Sequence, residues 1–254
     1  MLSHPDADPA PGVLCITAAP AEARAVAAGL GVSEPAWDWR AVDAPHQWRL
    51  VRSGVGKVNA AGCTVSCLAQ EHDQTPMAIN LGVCGSLGED APPVGSVIVA
   101  SGSVYADEGI ATPTTFQDMA AAGFPPWPGA DLGSGCSGVV AEAGLVRATR
   151  DRLAAALEAE VLVGPIATIS TCSGTDALAR EVARRTGAIA EAMEGAAIAH
   201  ALMRVRGSAR DFLEIRVVSN TTGDRDKQSW DLKGALATLT RVAKALHSAQ
   251  RARA

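Results

Sequence analysis

Short runs rich in Val, Ile and Leu, each closing on Gly or another small residue, alternate along this chain with Ala-rich stretches of helical period. That alternation restricts the fold more than any other feature. Val13-Leu14-Cys15-Ile16-Thr17 reads as a strand ending at Ala18-Ala19, and Pro20 opens an Ala-rich helix to about residue 30 with Glu22 in its first turn. A strand at 48–52 runs into Gly54-Val55-Gly56 and a helix to about residue 72, and a buried strand at 77–81 breaks at Gly82-Val83-Cys84-Gly85-Ser86. Strands follow at 94–103, at 161–163 with 166–169, at 189–193 and at 212–218. Helices fall between and after them at 142–160, 176–186, 194–206 and 232–250. Helices inserted between strands cover a largely parallel or mixed sheet, which makes the class an α/β sandwich. Residues 112–138, rich in Pro and Gly and carrying Phe116 and Trp127, read as a long irregular excursion of the kind that forms lids or subunit contacts.

The 254 residues, 48% apolar and 19% charged, suffice for one core, expected at 13–250 behind a flexible leader at 1–12. That leader lacks the basic and then apolar order of a signal peptide, and no apolar run reaches membrane length, so a soluble cytoplasmic protein is expected, with no membrane partner. A net charge of -5, with Lys and Arg scattered, leaves no basic stripe for phosphates, so nucleic acid is not expected as a partner. Six sparse cysteines suit free thiols in a reducing compartment. Cys63 and Cys67 sit at helical spacing, but no second Cys/His pair completes a tetrahedral site, and no metal is expected. Gly54-x-Gly56 begins a dinucleotide fingerprint, yet Asn59 stands at its third glycine and no ribose-binding acid is evident. A tight turn presenting backbone amides to a small ligand or water is the better reading, with Gly56 at its centre and no cofactor implied.

The chemistry concentrates in Glu191-Ala192-Met193-Glu194-Gly195-Ala196-Ala197 and in Asn220, 25 residues after Gly195 at the end of an apolar strand. A carboxylate opening a helix can pair sugar hydroxyls, and an amide can read a base edge. Each also has an ordinary explanation. Glu22 suits the first turn of any helix, Met193 suits a core, and Asn220 beside Thr221-Thr222-Gly223 suits a turn. Arg216 and Arg225 could meet a carboxylate on a ligand, or pair with Glu214, Asp224 or Asp226.

Taken together, Thr17 to Glu22, Gly54 to Val58, Gly82 to Ser86, Ala192 to Ala197 and Arg216 to Asn220 resemble the nucleoside phosphorylase and nucleosidase superfamily over about residues 13–247. The run from Phe212 through Asp226, with Trp230 soon after, resembles its futalosine hydrolase branch. The resemblance implies a three-layer α/β/α sandwich with a central mixed, partly barrel-like sheet. It also implies a nucleoside substrate with water, no cofactor, and a homodimer or higher homo-oligomer. The reaction implied is hydrolysis of futalosine to hypoxanthine and dehypoxanthine futalosine, on the futalosine route to menaquinone.

Three departures from sister branches sharpen that implication. Where phosphorylases carry an Arg ahead of the Gly-x-Cys-Gly turn and a Ser inside it, this chain has Asn80 and Val83, and a buried phosphate without such partners is disfavoured. Adenine-releasing nucleosidases carry an Asp where Asn220 stands, and an amide cannot protonate adenine as a carboxylic acid does. Of the two acids in their Glu-Met-Glu, one is replaced here by Ala192, which leaves Glu194 as the acidic ribose ligand. By the resemblance Glu22 and Asn220 are catalytic, orienting water and stabilising the departing base. Gly56, Cys84, Gly85, Ser173, Gly174, Thr175, Met193, Glu194 and Arg216 would bind substrate. The alternatives are a methylthioadenosine or adenosylhomocysteine nucleosidase, a purine nucleoside phosphorylase, or a nucleoside-binding module without catalysis.

Overall fold

The computed structural model describes residues 12–70, 77–132 and 136–251. The expected leader lies, apart from residue 12, outside them, as does the expected end of the second helix near residue 72. In chain order the elements are β1 (Val13–Thr17), α1 (Pro20–Leu30), β2 (Val42–Ala44), β3 (Trp48–Arg52), α2 (Lys57–Leu68), β4 (Met77–Ser86), β5 (Val97–Tyr105), β6 (Gly109–Ala111), β7 (Phe116–Asp118), β8 (Gly138–Val140), α3 (Ala143–Leu157), β9 (Val161–Thr168), α4 (Asp176–Thr186), β10 (Ala190–Ala192), α5 (Gly195–Arg206), β11 (Phe212–Thr221) and α6 (Leu232–Arg251).

Near-continuous apolar runs such as β1 mark strands buried on both faces. Val13 and Cys15 pack with α1, α3 and α6 on one side, while Leu14 and Ile16 pack with α2 and α5 on the other. Cys63 and Cys67 belong to that second layer as core thiols. Replacing Ile16, which has no exposure, by Ala would cost about 2–5 kcal/mol. β1 runs parallel to β3 and β4, and β11 runs parallel to β4 and antiparallel to β5. The sheet is therefore mixed. It also closes, because β10 pairs with β9 on one side and with β4 on the other, completing a ring of β4, β11, β5, β9 and β10. This is the three-layer sandwich with a partly barrel-like sheet.

Several boundaries differ from the sequence reading. β4 does not break at Gly82 but continues to Ser86, because its backbone stays paired with β11 as far as Thr221. β9 is one strand through Pro165, which is accommodated where the register against β5 shifts between Ala100 and Gly102. The excursion at 112–138 contains β7 and ends at β8, and it is pinned by buried Asp118. The Asp118 carboxylate accepts from the Ser137 amide at 2.9 Å and from the Ser137 hydroxyl at 2.8 Å. None of the described helices is long and apolar enough to cross a membrane.

Candidate active site

Glu22 occupies the third position of α1, behind Pro20, and its carboxylate turns back on the helix start. One oxygen accepts from the Ala18 and Ala19 amides at 3.2 and 2.8 Å, and the other from the Val83 amide at 2.8 Å. The first-turn helix acid and the site acid are thus the same group. Burial pushes its carboxyl above the ordinary range, while Arg216 nearby pulls it down.

Glu194 stands between β10 and α5, where the chain leaves the sheet. Its Oε1 accepts from the Gly56 amide at 3.0 Å, and its Oε2 accepts from Arg216 at 3.1 Å and from the Met193 amide at 3.3 Å. The Gly54-x-Gly56 turn therefore does present an amide, but it serves this carboxylate and no dinucleotide. Gly56 sits at φ 94°, a conformation that L side chains rarely adopt.

Arg216 is 1% exposed and lies behind these acids. It donates through Nε to Glu214 at 2.9 Å and through Nη2 to Glu194 and to the Asn80 side-chain oxygen. Ser103 donates to the second Glu214 oxygen at 2.5 Å. Two glycines make room for the cluster. A Cβ on Gly82 would fall 2.4 Å from Arg216 Nη1 and 2.6 Å from Glu22 Oε1, and one on Gly195 would fall 1.9 Å from Glu214. Burial favours the neutral form of Arg216, but Glu214, Glu194 and Glu22 outweigh it and hold its pKa above the usual value. Arg216 is committed inside the wall, paired with Glu214 as the alternative reading held, and this corrects its place among the substrate-binding residues.

These acids open onto a cavity of about 320 Å³. Glu22, Cys84, Gly85, Ser173, Gly174, Met193, Glu194 and Asn220 line it, as the sequence reading expected of them. Thr175 does not. Its hydroxyl caps α4 by accepting from the Leu178 amide at 3.2 Å, so its place in the substrate wall is corrected to a helix cap. Burial pushes the Cys84 thiol up to about 12, leaving no thiolate for nucleophilic attack at neutral pH.

Asn220 lies within β11 and not in a turn. The register against β4 slips between Val218 and Asn220, so neighbouring Ser219 and Asn220 both reach the cavity. Asn220 Nδ2 donates to the Thr221 carbonyl at 2.9 Å, and Oδ1 meets the Ser219 hydroxyl at 2.8 Å. The Thr221 carbonyl fixes which side of the amide carries the nitrogen and takes one of its two N–H groups.

Sequence reasoning missed Glu191, Ser219, Gln228 and Trp230, which also line the cavity. The Glu191 signal was present in the same motif as Glu194, but a strand acid beside an Ala is not distinctive alone. At the mouth, Arg225 lies over the Trp230 ring at 5.2 Å and is the one cation among the lining residues. Asp224, a possible partner for it, is held instead by Lys227 at 2.8 Å. Among the described residues that line the cavity no cation stands beside Glu22 and Glu194, and the Val83 amide and the Asn80 side chain are already engaged.

The chain belongs to the phosphorylase superfamily, whose family model matches residues 43–252. It is 35% identical over 238 residues to a futalosine hydrolase of Acidothermus cellulolyticus, covering 93% of this chain and 90% of that one. It is 36% identical to a futalosine hydrolase of Streptomyces coelicolor, covering 77% of each. Within the superfamily it therefore belongs to the futalosine hydrolase family. The fold matches a 5'-methylthioadenosine/S-adenosylhomocysteine nucleosidase from Neisseria meningitidis, solved with methylthio-immucillin-A. That match has a TM-score of 0.70 at 24% identity and covers 93% of this chain and 99% of that one.

Proposed function

We propose that this chain is an enzyme hydrolysing the N-glycosidic bond of futalosine, releasing hypoxanthine and dehypoxanthine futalosine. The observation that carries the reading is the make-up of the cavity: two fixed carboxylates, Glu22 and Glu194, an amide, Asn220, and, among the described lining residues, no cation beside the two acids.

Cleavage passes through a sugar with oxocarbenium character, so a nearby negative charge stabilises it and a positioned nucleophile completes it. Glu194, locked by Gly56 and Arg216, accepts the ribose hydroxyls and supplies that charge. Glu22, gripped by three amides, keeps lone pairs for a water at the anomeric carbon and takes its proton as the C–O bond forms. Met193 packs on the sugar. The second N–H of Asn220 donates to the purine as electrons return to it from the breaking bond. Phosphate would have to enter beside Glu22 and Glu194 with no cation or free amide to receive it, which favours water. Arg225 on Trp230 at the mouth suits the carboxylated aromatic tail of futalosine.

Assembly as a homodimer or higher homo-oligomer is part of the proposal. Exposed Val55, which lines the cavity, and exposed Val58 support it, flanking Lys57 and its ion pairs with Asp107 and Glu108.

The test is to incubate the pure protein with futalosine or methylthioadenosine, with and without phosphate. Hypoxanthine released from futalosine at a rate indifferent to phosphate is expected. Preferential adenine release, or strict phosphate dependence, overturns the reading.

A further inference from the structure

Glu191 is a buried carboxylate in the cavity wall to which the mechanism above gives no task. It lies on β10, opposite Gly85 of β4, and Asn220 of β11 lies opposite the same Gly85 from the other side. Gly85 is therefore flanked across two ladders by an acid and an amide, whose backbones are about two strand spacings, roughly 10 Å, apart. A Cβ on Gly85 would sit 2.8 Å from the Thr222 methyl, 3.1 Å from Asn220 Nδ2 and 3.6 Å from Glu191 Cγ. Only glycine fits there, and it lets the acid and the amide approach the same stretch of cavity wall from either side.

Glu191 is held as firmly as the sugar-side acids. Its Oε1 accepts from the Ser173 amide at 2.9 Å, and its Oε2 from the Ser173 hydroxyl at 2.6 Å. Both donors favour the ionised form, although burial acts more strongly in the opposite direction. Each oxygen retains a lone pair, so the group faces the cavity as an acceptor. A 6-oxopurine carries a proton on N1 and needs an acceptor there. Adenine carries a lone pair on N1 and would meet a carboxylate with repulsion.

We propose that Glu191 selects a 6-oxopurine as leaving base, its carboxylate accepting the N1–H on one side of Gly85 while Asn220 donates to the other edge of the ring. This rests on the futalosine reading and deepens it. Selection then has two separate parts: Asn220 withholds the acid that adenine needs, and Glu191 repels adenine in the bound state.

The experiment compares kcat/KM for futalosine and for its 6-amino analogue in the native enzyme and in Glu191→Gln. The amide of the variant can donate to adenine N1, so the ratio should move toward the amino compound by about 100-fold or more, with most of the change a loss on futalosine. Equal losses on both substrates would mean that Glu191 only supports the wall, and an unchanged ratio that it does not read N1; either result overturns the inference. A native enzyme that prefers the amino analogue overturns the proposed function itself and is recognised without any variant. Should the variant fold poorly, product inhibition of the native enzyme decides. Hypoxanthine should inhibit about 100-fold more tightly than adenine and than 1-methylhypoxanthine, which has no N1–H, and equal inhibition by hypoxanthine and its 1-methyl form refutes the contact.

Discussion

Replacing Arg216 by Met tests whether the buried cluster is one electrostatic unit. In the native protein three buried carboxylates, Glu22, Glu194 and Glu214, surround one guanidinium, a formal charge of -3 + 1 = -2. R216M leaves -3 in the same volume and strips the hydrogen bonds at 2.9 and 3.1 Å from Glu214 and Glu194. Removing one partner of a buried pair costs about 3–5 kcal/mol. For a domain of this size, at roughly 2–4 °C per kcal/mol, the midpoint should fall by about 6–20 °C. The double variant E214M/R216M returns the formal charge to -2, with an apolar pair in place of the ionic one, and should recover at least half of that loss in a thermal melt. Hydrolysis should not recover with it. Glu194 still lacks its charged donor, whose absence corresponds to about 10- to 100-fold in kcat/KM. Full activity in the double variant would show that Arg216 balances charge without positioning Glu194. A single variant melting within about 2 °C of native would refute the coupling altogether.

Glu22→Gln should lower kcat by about 10²- to 10⁴-fold with little change in KM for futalosine, measured by steady-state hypoxanthine release. Because burial raises the Glu22 pKa, activity that needs its ionised form should climb with pH along an acid limb centred above the ordinary carboxylate range, and that limb should vanish in the Gln variant. Asn220→Asp should lower the rate on futalosine and raise adenine release from methylthioadenosine, since a carboxylic acid can protonate the base; no adenine from the variant would contradict the role given to the amide. Gly82→Ala brings a methyl within 2.6 Å of both Arg216 and Glu22, and should cost about 1–3 kcal/mol in chemical denaturation together with most of the activity.

What the sequence disclosed depended on how local each signal was. β1 with α1 was legible because an apolar run, Pro20 and an Ala-rich stretch sit side by side. Glu22, Glu194 and Asn220 were legible through motifs at the ends of long elements. β2, β6, β7 and β8 escaped because three residues cannot display a period. Gly82 looked like a strand break, since a glycine that opens a turn and one that clears space for a guanidinium read alike. Arg216 was legible only in part, through its pairing with Glu214 two residues away. Nothing in its neighbourhood indicates that Asn80 and Glu194, 136 and 22 residues away, already occupy it. Thr175 misled because its hydroxyl is taken by the first turn of the helix that it caps.

The closing strand of the ring gives the cavity an unequal stiffness. β10 contributes only three residues, and against β4 it is matched at just two positions, Ala190 to Ser86 and Glu191 to Gly85, whereas β11 follows β4 for nearly its whole length. Two junctions of the ring, β4 with β11 and β5 with β9, are long ladders; β11 meets β5 over three positions, β9 meets β10 over three, and β10 closes on β4 as a clasp of two. The two sugar-side acids also differ in how they depend on that clasp. Glu22 is anchored to α1 and β4 and would keep its place if the clasp opened, while Glu194 follows directly after β10 and would be carried with it. Opening of that clasp would therefore separate the acid that handles water from the acid that holds the ribose.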